Sequence, residues 1–210
     1  VAGSTHSPLA EALAELVPAG CAGGLLAIDA VHERGLAPGE RDLVPTARAT
    51  RLAEFATGRA LLHHLLSDAG PLLRLPNGAV AFPAGTVGSL AHDRAYAAAV
   101  VGPADPYAAL GIDIEQHVDA DDELVRAVLR DDDPAIEPIA AFVMKEAAYK
   151  AWSSLGIPML GPLDVRLEVS GVGGLDGTAG RFTAHTVGAA PVSGMVAHSG
   201  SHWLAVASIE

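Results

Sequence analysis

The sequence predicts an α+β protein of two similar lobes, each a long helix packed on a small antiparallel sheet, with a cleft between them. Three observations predict it. Two long helical segments occur, at residues 49–70 and 138–154. Each is followed by three short apolar runs of strand character. Turn-like residues and loops separate those runs, so neighbouring strands are expected to pair antiparallel.

Residues 8–16 read as a short helix and GGLLAIDAVH (23–32) as an apolar strand, followed by the loop APGERDLVP. In the helix at 49–70, Leu52, Phe55, Leu62 and Leu66 recur at helical spacing, and Gly70-Pro71 ends it. The runs TVGSLAH (86–92), AYAAAVVG (95–102) and AALGIDIE (108–115) follow, separated by Asp93-Arg94 and PADPY, and read as a three-stranded meander. An acidic stretch at 119–133 leads to the helix at 138–154, which Gly156 and Pro158 terminate. LDVRLEV (163–169), RFTAHTV (181–187) and HWLAVASI (202–209) complete the second lobe. The lobes are expected at 1–107 and 108–210, joined near 103–110 or 116–120. The repetition lies in element order, without a short sequence repeat. GVGGLDGTAG (171–180) lacks the Lys-Ser/Thr of a phosphate loop and reads as a hairpin loop. DADDE and RDDDP read as helix caps and solvated loops.

A chain of 210 residues, half of them hydrophobic, suffices for one substantial domain or two small packed ones. The formal charge of −12 argues against a general nucleic-acid binder, so an anionic ligand must be held by a local cluster. One cysteine, Cys21, excludes an internal disulfide and a cysteine-based zinc site. The first basic side chain is Arg34, which leaves no charged leader region, and no run of about 18 apolar residues predicts a membrane span. The expectation is a cytoplasmic globular protein.

Chemistry concentrates in two stretches. In GIDIE, Asp113 and Glu115 share one face of a strand and Ile112 and Ile114 the other. Two adjacent carboxylates repel unless a cation lies between them, and hard oxygen ligands suit Mg²⁺; an ordinary wet strand face is the other reading of this stretch. FVMKEAAYKAW contains Lys145 and Lys150, the two lysines of a chain whose other eleven basic residues are arginine. Ile139, Phe142, Val143, Glu146 and Lys150 fall on one face of the helix, and alanines with Met144 on the other. A helix apolar nearly all round is buried, so Glu146 and Lys150 are embedded groups rather than a solvated i, i+4 pair. Burying ions requires partners, here Asp113, Glu115, a metal and a polyphosphate. Arg51, Arg59, Arg74, Ser89 and His92 supply further groups for an anion. A guanidinium grips phosphate through paired donors, whereas an ammonium can also release a proton.

GIDIE followed by FVMKEAAYK resembles the paired signature of the 4′-phosphopantetheinyl transferases of the surfactin- and enterobactin-synthetase type, G-x-D-x-E and F-x-x-K-E-A-x-Y-K. RLAEFATGR is similar to that family's arginine-bearing helix, and FPAGTVGSLAH to its proline-glycine-serine-histidine segment. Phe82, Asp93, Gln116 and Arg74 depart from the commoner Trp, Cys, Pro and Lys at those places, and Asp93 adds a negative charge beside His92. The resemblance implies two α+β lobes with the site between them, and coenzyme A as substrate. It also implies an acceptor serine on an apo acyl or peptidyl carrier protein, and a monomeric, Mg²⁺-dependent enzyme. It implies that Asp113, Glu115 and Glu146 hold Mg²⁺ and that Lys145 and Lys150 flank the pyrophosphate. Arg51, Arg59, Arg74, Ser89 and His92 would hold the 3′-phosphate and adenine end. Glu146 would be the general base, directly or through a water, and Lys150 would stabilise or protonate the leaving group. By the same reasoning Lys145, as a pyrophosphate contact only, should tolerate arginine better than Lys150. A coenzyme A-binding protein without transfer activity would be expected to lack one of these acids or lysines, and none is missing. A nucleotide phosphohydrolase would not need Lys-Glu-x-x-x-Lys on a buried helix.

Overall fold

The computed structural model describes residues 7–67, 69–171 and 179–210. Helix α1 (Pro8–Leu16) starts on a proline, whose missing N–H costs nothing in a first turn. Strand β1 (Ala22–Ala27), a 3-10 turn (Ala30–Gly35) and the one-turn helix α2 (Pro38–Arg41) lead to the long α3 (Ala49–Leu66). Strands β2 (Thr86–His92), β3 (Tyr96–Pro103) and β4 (Ala109–Gln116) follow, then α4 (Asp122–Val128), capped by the Asp121 carboxylate on Leu124 N. Helix α5 (Pro138–Ser154) also begins on proline, and Glu137 caps it by accepting from Ala140 N. Strands β5 (Arg166–Ser170), β6 (Gly180–His185), β7 (Val192–Ser199) and β8 (His202–Ile209) end the chain.

Two antiparallel sheets form, one of order β1-β3-β2 and one of order β4-β8-β7-β6-β5. Strand alternation then dictates a layered core. On β3, Ala97, Ala99 and Val101 pack against Leu61 and Leu62 of α3. Ala98 and Val100 face the other way, toward Ile112, Ile114, Leu204 and Val206 of the second sheet. On β8, Trp203, Ala205 and Ala207 pack under α5. The layers therefore run α3, first sheet, second sheet, α5, with Leu9, Leu13 and Leu16 of α1 entering the core between the sheets.

Three expectations change. The run AALGIDIE does not continue the first sheet: β4 pairs with β8, from Ala109 opposite Ile209 to Gln116 opposite His202. Its place beside β3 is taken by β1. Strand β7, unforeseen in the sequence, makes the second sheet five-stranded, so the lobes are alike in type but unequal in size. Helix α1, assigned by sequence order to 1–107, touches both sheets and straddles that division. The glycine-rich loop expected at 171–180 lies largely outside the described residues.

One glycine positions the site. Gly111 on β4 faces α5, and a Cβ there would stand 1.9 Å from the Ala147 carbonyl oxygen. Any side chain at 111 lifts α5 off β4. Gly111→Ala is expected to lower the unfolding free energy by about 1–3 kcal/mol through overpacking of backbone that cannot step aside. Urea unfolding checks this, and an unchanged midpoint and slope would mean that α5 is not seated on β4.

Candidate active site

A cavity of about 520 Å³ opens between the lobes. Helix α3 contributes Arg51, Phe55 and Arg59 to its wall, the segment after α3 contributes Arg74, and β2 contributes Ser89 and His92. From the opposite lobe α5 contributes Tyr149 and Lys150. Six of the seven residues proposed from sequence for anion binding thus line one cavity, five from the first lobe and Lys150 from the second. The guanidinium groups of Arg59 and Arg74 both lie over the Phe55 ring, at 4.5 and 5.2 Å from its centroid. Burial lowers the Arg59 pKa to about 10, offset in part by Glu40 and increased by Arg74. It remains a cation at neutral pH.

Arg51 Nη1 lies 2.6 Å from His92 Nε2 and 3.2 Å from Glu54. A guanidinium can only donate, so the His92 Nε2 must accept, which requires the neutral ring. Burial lowers the His92 pKa in the same direction, with Glu54 opposing. Asp93 does not face this contact. Its Oδ1 accepts from Ala95 N and Tyr96 N, and its Oδ2 sits 2.8 Å from His202 Nε2. The extra charge beside His92 is spent on a turn and on a close contact with β8.

Lys150 joins this cavity to the acids. Its Nζ donates to Asp113 Oδ1 at 2.6 Å and to the Ile112 carbonyl at 3.1 Å. Asp113 is 5 % exposed, and its Oδ2 is buried without a hydrogen-bond partner. Burial pushes the Asp113 pKa up despite Lys150. Burial and the Asp113 and Asp93 charges push Glu115 up to about 7. Glu146 is raised by burial and then by Asp113. Among the described residues no three His, Cys, Asp or Glu side chains converge on one point as a ready metal cage. The donor set nevertheless fits a hard divalent cation: three carboxylates repel one another, and one buried oxygen lacks a partner.

Lys145 is not in the cavity. Its Nζ donates to Asp133 Oδ2 at 2.5 Å and to the Val128 carbonyl at 2.8 Å, and both side chains of the pair are 1 % exposed. Asp133 also accepts from Arg130 N and Leu167 N. The lysine expected beside the pyrophosphate instead ties the 128–133 segment and β5 to α5. RDDDP is correspondingly more than a solvated loop, since its third aspartate is a buried hub. Sequence reasoning also missed Glu40, Glu54 and Tyr149. Glu54 and Tyr149 each sit in a quoted motif next to a residue that was singled out, and that adjacency was the available signal.

Comparison with known proteins bears on this arrangement. Residues 39–102 match the family model described as the 4′-phosphopantetheinyl transferase N-terminal domain. The chain is 34% identical over 175 residues to the 4′-phosphopantetheinyl transferase Svp of Streptomyces mobaraensis, covering 76% of this chain and 69% of that protein. The chain belongs to the 4′-phosphopantetheinyl transferase family. It is also 36% identical over 148 residues to the 4′-phosphopantetheinyl transferase PptT of Mycobacterium tuberculosis, covering 62% of this chain. A third relative, the 4′-phosphopantetheinyl transferase Npt of Nocardia iowensis, is 31% identical over 137 residues and 59% of this chain. The matches span 63% and 62% of the Mycobacterium and Nocardia proteins, a little under two thirds of their length. No helix among the described residues is long and apolar enough to cross a membrane.

Two predictions follow for this family member. Lys145→Met leaves Asp133 buried and unpaired, so it is expected to lose about 3–5 kcal/mol of stability. Any KM set by the cavity should stay within about twofold in the folded variant, because Lys145 does not line it. Lys145→Arg is also a packing lesion, not the mild change expected from sequence. Denaturant unfolding alongside steady-state kinetics separates the two effects. The second prediction concerns pH. Glu115 keeps a proton in the folded state from its ordinary 4.5 up to about 7, whereas the unfolded chain releases it. Stability contributed by this group is therefore lost as pH rises through that window. Thermal scans across that window should show a steeper decline for the wild type than for Glu115→Gln.

Proposed function

We propose that this chain transfers the 4′-phosphopantetheine group of coenzyme A to a serine of an apo acyl or peptidyl carrier protein, releasing adenosine 3′,5′-bisphosphate. The observation that carries the reading is the position of Lys150, whose ammonium stands where an arginine-lined cavity meets a cluster of three raised-pKa carboxylates. Coenzyme A needs both environments: cations for its 3′-phosphate, and a place to neutralise the pyrophosphate under attack.

Arg59 and Arg74, both stacked against the Phe55 ring, grip the 3′-phosphate. Arg51, Ser89 and His92 complete that end of the cavity. When phosphate takes over the Arg51 contact, His92 is free to donate. Lys150 faces the pyrophosphate. Asp113, Glu115 and Glu146 would hold Mg²⁺, which when bound supplies charge neutralisation on the phosphate oxygens. The carrier serine oxygen attacks the β-phosphorus in line, the bond to the bridging oxygen breaks, and Glu146 accepts the serine proton. Burial makes the Glu146 carboxylate more basic than an ordinary one, which favours that role. Lys150 stabilises or protonates the departing bisphosphate oxygen, which an arginine could not do at neutral pH.

The chain acts as a cytoplasmic monomer on this reading, with the site at the junction of lobes 1–107 and 108–210. Carrier proteins are acidic and the chain carries −12, so recognition rests on local contacts rather than on opposite net charges. Mass spectrometry of an apo carrier incubated with coenzyme A and Mg²⁺ tests the proposal. One phosphopantetheine should be added, and a chelator should stop the addition; an unmodified carrier across acyl and peptidyl types would sink the reading. Glu146→Gln is expected to slow transfer about 10²–10⁴-fold while the variant still binds coenzyme A. Full transfer by that variant would remove Glu146 as base and as ligand alike.

A further inference from the structure

Glu40 is fully buried on the single-turn helix α2 and does not line the cavity. Its Oε2 accepts from Ala37 N at 3.0 Å, closing the first turn of its own helix. A helix cap needs no more than that. The other oxygen, Oε1, gathers groups from two further segments. It accepts from Leu72 N at 2.8 Å, contacts His63 Nε2 of α3 at 2.8 Å, and lies 4.0 Å from Arg59 Nε. Leu72 is two residues before Arg74. One carboxylate therefore ties α3, which carries Arg59, to the strand of chain that carries Arg74.

The charge arrangement gives this tie a consequence. Arg59 and Arg74 are like charges over a single ring, and the Arg59 side chain is 3 % exposed. Water cannot screen that repulsion well on the sealed side of the cavity. At 4.0 Å the Glu40 carboxylate is too far for a hydrogen bond to Arg59 but close enough for ionic attraction. Its Nε is a buried donor without a partner, so the orientation of the guanidinium depends on this charge and on the Phe55 ring. Glu40 holds the back of the guanidinium and leaves the rest for an anion arriving from the open side.

We infer that Glu40 is a positioning residue for the 3′-phosphate of the donor: it acts through Arg59 and Arg74 and so sets discrimination between coenzyme A and 3′-dephospho-coenzyme A. The inference rests on the proposed function of the cavity, and the experiment separates the two. Steady-state transfer to an apo carrier is measured with both donors for wild type, Glu40→Gln, Arg59→Gln and the double variant. Wild type using both donors with equal KM would overturn the 3′-phosphate assignment itself, and the inference with it. Given discrimination by the wild type, Glu40→Gln is expected to raise the coenzyme A KM about tenfold. Its kcat should change less than about twofold, and its KM for the dephospho donor should not move. The double variant should lose less than the product of the two single losses, because part of the Glu40 effect passes through Arg59. Equal losses on both donors, or losses that simply multiply in the double variant, overturn the positioning role in favour of a purely structural cap. If Glu40→Gln cannot be recovered folded, Glu40→Asp replaces it, retaining charge but one methylene shorter. A donor-selective KM rise then supports the inference, and unaltered selectivity overturns it.

Discussion

The contact between Lys150 of α5 and Asp113 of β4 is the constraint on which the rest of the site depends. The two groups belong to elements that pack directly together, and Gly111 is what allows the packing: its missing side chain lets the Ala147 carbonyl approach β4. Because strand residues alternate, seating Gly111 against α5 also turns Asp113 and Glu115 toward that helix, while Ile112 and Ile114 enter the core between the sheets. The same geometry gives Lys150 a second acceptor in the Ile112 carbonyl. A strand, a helix and a charge pair thus fix one another.

Around that pair, the protein separates positive from negative charge within a few residues. Arg51, Arg59, Arg74 and Lys150 share the cavity, whereas Asp113, Glu115 and Glu146 lie behind Lys150. Each side is costly by itself. The carboxylates show it as raised pKa values, and Arg59 as a lowered one. Such strain is relieved by ligands of the opposite sign, an anion on one side and a divalent cation on the other. A pyrophosphate bound with Mg²⁺ has both. Net charge says little about this, since the −12 of the whole chain coexists with a locally cationic cavity.

What could be read from sequence was what depends on local period. The helix at 138–154 and the strand at 202–209 appear within the bounds expected, because hydrophobic spacing and Pro or Gly boundaries determine them. The sheet to which β4 belongs depends on its pairing with β8, 86 to 100 residues away, and turn signals on either side of GIDIE cannot reveal that. The arginine and acid positions of the site were legible as short motifs. Lys145 was not, because its partner Asp133 sits in an acidic run that looks solvated, and only the fold of α4 back onto α5 buries it. Glu40 was hidden for the same reason: its four neighbours come from three separate segments. Strand β7 went unread because SGM interrupts its apolar run with a glycine that a neighbouring ring requires, Phe182 lying 2.4 Å from where a Cβ at Gly194 would be.

The central claim is that Asp113 and Lys150 act as one unit joining the anion cavity to the acid cluster. A double-mutant cycle on the rate of phosphopantetheine transfer tests it most directly, using Asp113→Asn, Lys150→Gln and the combined variant with coenzyme A, Mg²⁺ and an apo carrier. The account predicts that the combined variant is about as slow as the slower single one, because removing either partner already undoes the unit. Losses that multiply, as for two independent residues, would contradict it.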